Sequence, residues 1–294
     1  MKIVVCIKQV PGTSQVEIDP ETGVLKRDGA AAKINPYDLY ALETAMRLKE
    51  RCGGTVTAVT MGPPQAEAMM KEAYMMGVDQ AYVFTDRTFA GADVLATSYT
   101  LAQGITSICD YDMIICGKQT TDGDTAQVGP AMAEYLGIPC AAWVGEIADV
   151  DEDFVTVGQD FVNVRQLAKM KLPCLITVEK DIYTPRLPSY RLKAATKDRK
   201  VEMITFADFK DQDVTHYGLK GSATSVERIF PPESHDGQIF MKGSAEQTAG
   251  ELADIFAERK YISLFRQKRK ICYCSSLAEV GACHDVFSET EEKD

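Results

Sequence analysis

Residues 113–130, Met-Ile-Ile-Cys-Gly-Lys-Gln-Thr-Thr-Asp-Gly-Asp-Thr-Ala-Gln-Val-Gly-Pro, constrain the fold of this chain more than any other stretch. The apolar run Met113–Cys116 follows Asp110-Tyr-Asp and stops at Gly117. A short apolar run bounded by turn residues reads as a strand covered on both faces, as in a parallel sheet. The pattern then predicts a helix opening near Asp124, whose carboxylate caps the first free N–H groups while Gln127 completes a capping box. Val128, Met132, Tyr135 and Leu136 carry the helical spacing, and Gly137 and Pro139 end it.

A strand, a polar turn and a helix start aim unpaired N–H groups and a helix dipole at one point, which suits an anion such as a phosphate. Lys118 adds a charge there, and Gln119, Thr120, Thr121 and Thr125 add hydrogen-bonding groups. Asp122 and Asp124 would repel a bare triphosphate; they fit better as a cap or as acceptors for ribose hydroxyls. Neither the phosphate-loop pattern nor the dinucleotide glycine fingerprint occurs. An ordinary sheet–helix turn that binds nothing has the same pattern.

The rest of the first half alternates in the same way. Strands are predicted at 2–8, 55–61 and 81–84, with helices starting at Asn35-Pro36, after Gly62-Pro-Pro, and from Ala92 to Ile108. Val16 to Lys26 reads as a hairpin. Alternation of this kind gives an α/β fold, a doubly wound and mostly parallel sheet. Ligands of such sheets sit beyond the carboxyl ends of the strands. The candidate ends are Cys6 to Gln9, Met61-Gly62 and Gly117-Lys118, flanked by Asn35 to Asp38. Beyond Pro139, segments at 140–147, 154–158 and 161–167 predict a small antiparallel extension, and Pro173 to Val178 another buried strand.

From about residue 190 the regularity fades, and 191–200 is basic. Ala245 to Tyr261 predicts an amphipathic helix with Ala249, Leu252, Ile255 and Phe256 on one side. The expected division is a nucleotide-binding domain over 1–189, a C-terminal arm over 190–262, and a cysteine-containing tail over 263–294. The net charge of −11 excludes nucleic acid as the main partner. No apolar run approaches a membrane span. With no secretion signal, the nine cysteines are expected as free thiols of a cytoplasmic protein.

Val5-Cys-Ile-Lys-Gln-Val-Pro, Asn35-Pro-Tyr-Asp-Leu-Tyr-Ala-Leu-Glu-Thr-Ala, Met61-Gly-Pro-Pro, Gly117 to Pro130, Lys171-Leu-Pro and Pro185-Arg-Leu-Pro-Ser-Tyr resemble, in order, the β subunit of electron-transfer flavoproteins. The likeness runs from residue 1 to about 262. It implies an α subunit carrying FAD, with the C-terminal arm packed on it. It also implies a second nucleotide in this chain, FAD in electron-bifurcating members or AMP in ordinary carriers. The matching contact positions are Cys6, Asn35, Pro36, Tyr37, Asp38, Met61, Gly117, Lys118, Gln119, Thr120, Thr121, Asp122, Gly123, Asp124, Thr125, Ala126, Gln127 and Val128. The turn from Asp122 to Pro130 is similar to the bifurcating type. Such a subunit accepts hydride from NADH and passes electrons to ferredoxin or flavodoxin and, through the α-subunit FAD, to an acyl-CoA dehydrogenase-type partner.

Pro185 to Tyr190 resembles the segment that recognises acyl-CoA dehydrogenases; proline-stiffened loops look the same. Arg165 either pairs with a carboxylate, reaches an isoalloxazine or sits on the surface. The chain departs from the family after 262, where Cys272, Cys274, Cys283 and His284 form too weak a pattern for a metal centre. A reading of another class remains: a nucleotide-binding regulatory module that needs neither flavin nor α subunit.

Overall fold

The computed structural model describes residues 1–12, 17–18, 25–26, 32–161, 163–225 and 240–261. The expected tail over 263–294, with Cys272, Cys274, Cys283 and His284, lies outside them.

The chain begins with β1 (Lys2–Cys6), β2 (Gln9–Pro11), β3 (Glu17–Ile18), β4 (Leu25–Lys26) and β5 (Ala32–Ile34). Next come α1 (Pro36–Cys52), β6 (Thr55–Met61), α2 (Glu67–Met76), β7 (Gln80–Phe84), α3 (Val94–Ile108), β8 (Met113–Gly117) and α4 (Val128–Leu136). The expected α/β fold is present. One nine-stranded sheet is completed by β9 (Cys140–Val150), β10 (Phe154–Asp160), β11 (Arg165–Lys171), β12 (Cys174–Val178) and β13 (Glu202–Ile204). Its order is β11-β10-β9-β12-β8-β1-β6-β7-β13. All neighbours from β9 to β13 run parallel, while β10 pairs antiparallel with both β9 and β11. The hairpin expected near 16–26 pairs Glu17 with Lys26 and Ile18 with Leu25.

Both faces of the central strands are buried, as their unbroken apolar runs require. Ile3, Val5, Val56, Ala58, Ile115 and Ile176 pack under α1 and α2. Val4, Val59, Phe84, Ile114, Cys116 and Leu175 pack under α3 and α4. The alternation along β1 and β8 is the period of a strand, so each strand feeds both cores. β1 and β8 are neighbours whose onward connections leave in opposite directions, to β6 on one side and beyond β12 on the other. Their carboxyl ends form the crevice.

One expectation changes here. Residues 190–225 read as an irregular arm, yet they contain α5 (Tyr190–Ala195), the edge strand β13, and α6 (Gly218–Gly221). Phe206, Phe209 and Tyr217 complete the second core against Phe84 and Phe89. The first compact unit accordingly runs Met1–Phe230 and the second Pro231–Asp294. In the second unit, α7 (Ala245–Glu258) opens on a Ser244–Gln247 capping box, and none of its side chains is buried. All six described thiols are free, as expected; Cys116 and Cys174 are buried, whereas Cys52 and Cys140 are exposed helix or strand ends.

Candidate functional site

Asp38 joins the two strands of the crevice. Its carboxylate, almost completely buried, accepts the Lys8 N–H at 2.7 Å just past β1. On the other side it lies against Gly117 at the end of β8, where an added Cβ would collide with the carboxylate and with the Tyr37 carbonyl. Burial pushes its pKa up to about 7, against the opposing pull of the Lys8 N–H, Asn35, the Lys8 charge and the Gly117 N–H.

Asn35 precedes α1 without capping it. Its amide instead reaches across the crevice, donating to the Gln119 carbonyl at 2.8 Å and accepting the Thr121 N–H at 3.2 Å. This clasp fixes the start of the polar turn. Pro36 occupies the first turn of α1, where its missing N–H costs no hydrogen bond.

The turn itself is longer than its sequence pattern predicts. The expected capping box at Asp124 and Gln127 does not form: α4 begins at Val128, and Gln127 precedes it without a side-chain cap. Asp124 and Ala126 have φ of 54° and 55°, a left-handed backbone unfavourable for residues with a Cβ. Asp124 accepts a close hydrogen bond from Gln119, and its N–H donates to the Thr120 carbonyl at 2.9 Å. The chain therefore loops once more before the helix starts. Gly129 then lets α4 settle on β12, where a Cβ would meet the Thr177 methyl at 2.5 Å.

A cavity of about 350 Å³ opens between the ends of β1, β6 and β8 and the starts of α3 and α4. Of the positions singled out by sequence, Cys6, Asp38, Met61, Gly117, Lys118, Gln119, Thr120, Gly123, Thr125, Ala126, Gln127 and Val128 line it. Asn35, Pro36, Tyr37, Thr121, Asp122 and Asp124 do not line it; Asn35 is buried, and Thr121, Asp122 and Asp124 are exposed. Asp122 takes both its oxygens to Lys8 Nζ at 2.6 Å. Lys118 is committed as well, with Nζ 3.0 Å from Glu179 and 4.7 Å from the Trp143 ring.

One wall escaped sequence reading. Ala92, Asp93, Val94, Thr97 and Leu101, at the start of α3, also line the cavity. Asp93 caps α3 through the Ala96 N–H at 3.1 Å and holds the Thr224 N–H at 2.9 Å. An Asp before an apolar helical period was the available signal. Arg165, by contrast, pairs with Glu146 and Asp160 on the antiparallel extension.

The start of α4 is the feature suited to an anion. α3 spends a carboxylate on its own N-terminus, while α4 leaves its first N–H groups uncapped beside the cavity at Val128 and Gly129. Thr60, Thr97, Thr120, Thr125 and Gln127 add neutral polar groups. The residues fit a nucleotide with its phosphate at α4.

A model of the electron transfer flavoprotein domain matches residues 22–209. The electron transfer flavoprotein subunit beta of Clostridium acetobutylicum is 42% identical over 263 residues, covering 89% of this chain and all of that one. The chain belongs to the electron-transfer flavoprotein β-subunit family. Within this β-subunit family, the caffeyl-CoA reductase–Etf complex subunit CarD of Acetobacterium woodii is 38% identical over 266 residues, covering 89% and 100% of the two chains. Protein FixA of Azotobacter vinelandii is 41% identical over 261 residues, covering 86% and 92%. A β subunit of this family has an α-subunit partner in a complex and associates with flavin or AMP. Among the described residues no helix is long and apolar enough to cross a membrane.

Proposed function

We propose that this β subunit holds FAD, rather than AMP, in the cavity between β1, β6 and β8. There it accepts hydride from NADH and divides the electrons between ferredoxin or flavodoxin and, through the α-subunit FAD, an acyl-CoA dehydrogenase-type partner. The observation that carries the reading is the uncapped start of α4, which faces the cavity at the switch in strand order. Bound FAD would supply the hydride and single-electron chemistry. The chain's own work is to bind and orient. Val128 and Gly129 present N–H groups to the phosphates, Asn35 and Asp38 fix the loop that surrounds them, and Met61, Val59 and Leu101 supply apolar walls.

The similarity of Asp122–Pro130 to the bifurcating type supports FAD, and CarD, named for a caffeyl-CoA reductase complex, supports a CoA-ester enzyme as partner. A docking loop is available. Arg186 is tied to Glu43 at 2.7 Å and Glu50 at 2.7 Å, and Ser189 N–H to the Met75 carbonyl at 2.8 Å. Leu187 between these anchors and Tyr190 just past the second stand 87% and 85% exposed. The deciding experiment is to co-purify the chain with its α subunit, denature the complex and count the released nucleotides. Two FAD per heterodimer support the proposal. One FAD and one AMP reduce this subunit to a carrier scaffold, and no flavin with no stable partner favours the regulatory module.

A further inference from the structure

Trp143 is the sole tryptophan of the chain, and it occupies a backbone that bulky residues rarely adopt, with φ of 59°. β9 is irregular here. Its register shifts against β12 between Ile176 and Val178, and against β10 between Gly158 and Gln159. The Trp143 N–H donates to Thr177 Oγ1 at 3.1 Å, and Gln159 holds the preceding Ala142 carbonyl at 2.6 Å. A strained conformation held by its surroundings is a pointer to function. Its result is an indole left 41% exposed at the carboxyl edge of the sheet.

The indole is joined to the cavity through Lys118. Lys118 lines the cavity, places its ammonium 4.7 Å from the indole centroid and hydrogen-bonds Glu179 Oε1 at 3.1 Å. Glu179 Oε2 is buried and, although 3.0 Å from the same ammonium, accepts no well-formed hydrogen bond. Beside the cavity, therefore, an exposed aromatic side chain stands next to a cation that a partly buried carboxylate holds in place. The cavity, at about 350 Å³, stands at the small end of the ~300–1,000 Å³ usual for ligand sites. A dinucleotide seated there by its phosphates has to project one of its ring systems over the rim.

We propose that Trp143, with Lys118 and Glu179, is a stacking platform for the isoalloxazine of the FAD whose diphosphate occupies the cavity. This rests on the FAD reading of the cavity. The indole offers its free face to a planar heteroaromatic ring, and Glu179 holds the Lys118 ammonium beside it. The platform makes Trp143 the residue that distinguishes FAD from ADP or AMP, ligands that share the phosphates but lack the second ring.

The test uses the full chain, titrated separately with ADP and FAD while the emission of its one tryptophan and the bound ligand are followed. FAD is expected to bind at least tenfold more tightly than ADP and to quench Trp143, whereas ADP leaves the emission unchanged. Trp143→Asn keeps a residue tolerant of the left-handed backbone. It should weaken FAD about tenfold, ~1.4 kcal/mol, leave ADP affinity as it was, and be largely rescued by Trp143→Phe. Undiminished FAD affinity in Trp143→Asn, or FAD binding without quenching, overturns the platform alone. A wild-type chain that binds neither ADP nor FAD overturns the cavity reading and the platform with it.

Discussion

Asn35 matters as a clasp. Its amide satisfies the Gln119 carbonyl and the Thr121 N–H from a fully buried position, so Asn35→Ala leaves both without partners. The expected cost is ~1–3 kcal/mol, read as a lower urea midpoint, together with faster loss of bound nucleotide on desalting. A variant with normal retention would show that the loop holds its shape unaided. Asp38 makes a prediction about pH. Its folded pKa of about 7 lies above the ordinary 3.8, so the folded state binds the extra proton between those values. Its contribution to stability is present in full below pH ~4 and is lost as pH rises through about 7, by up to ~1.4 kcal/mol per pH unit. Denaturant titrations at pH 5 and 8 should show wild type losing stability relative to Asp38→Asn; parallel profiles would contradict the shift. In the sequence these two side chains read as a helix start flanking the strand ends, and the family resemblance marks both as contact positions, but neither reading gives their partners. Their hydrogen-bond partners lie 30 residues away for Asp38 and 84 and 86 for Asn35, and a helix-cap pattern carries no information about contacts across a crevice. Asp124 and Ala126 misled for a different reason: Asp124 with Gln127 satisfies the capping pattern, and an alanine gives no signal of a left-handed backbone.

At the scale of elements, the strands were legible where apolar runs are long. β1, β6, β8 and β12 are buried on both faces and bounded by turn residues, so burial and pattern agree. β13 was not legible, since three residues at a sheet edge with two exposed side chains have no period to read. The loop over Pro185–Tyr190 was legible as stiffened by prolines but not as anchored by charge. Glu43 is buried on α1, where desolvation pushes its carboxyl up and the Arg186 and Arg47 hydrogen bonds more than offset that, leaving it below its ordinary value. Removing Arg186 leaves this buried carboxylate with Arg47 as its one remaining cation. The cost of breaking a buried pair is ~3–5 kcal/mol, reduced here because about a third of the Arg186 side chain is exposed to screening solvent. Arg186→Ala should therefore lose roughly 2 kcal/mol in a melt and gain proteolytic cleavage near Leu187. Glu43→Gln combined with Arg186→Met should recover much of the stability, because no unpaired charge then remains. An Arg186→Ala protein as stable and as resistant as wild type would mean that the loop is held by Ser189 and packing alone.

Over the whole molecule, a β subunit of this family has an α-subunit partner, and the two compact units differ in what they can offer it. The first has its own two cores and continues through the aromatic cluster around Tyr217. The second contributes α7, with Leu252 and Phe256 exposed at 42% and 39% and no buried side chain. An amphipathic helix that buries nothing gains little from its apolar stripe until a partner covers it. Converting Leu252 and Phe256 together to Glu should leave the melting temperature of the isolated chain within about 1 °C, since surface substitutions away from packed features stay within ~0.5 kcal/mol. The same double variant should fail to retain the α subunit on a tagged column, because two charges would have to be desolvated without partners. Amide exchange gives the complementary reading: the helix should exchange quickly in the isolated chain and slowly in the heterodimer. If the double variant retains the α subunit and α7 exchange is unchanged by its presence, the stripe is not the docking face, and the exposed surfaces of the first unit must carry the assembly.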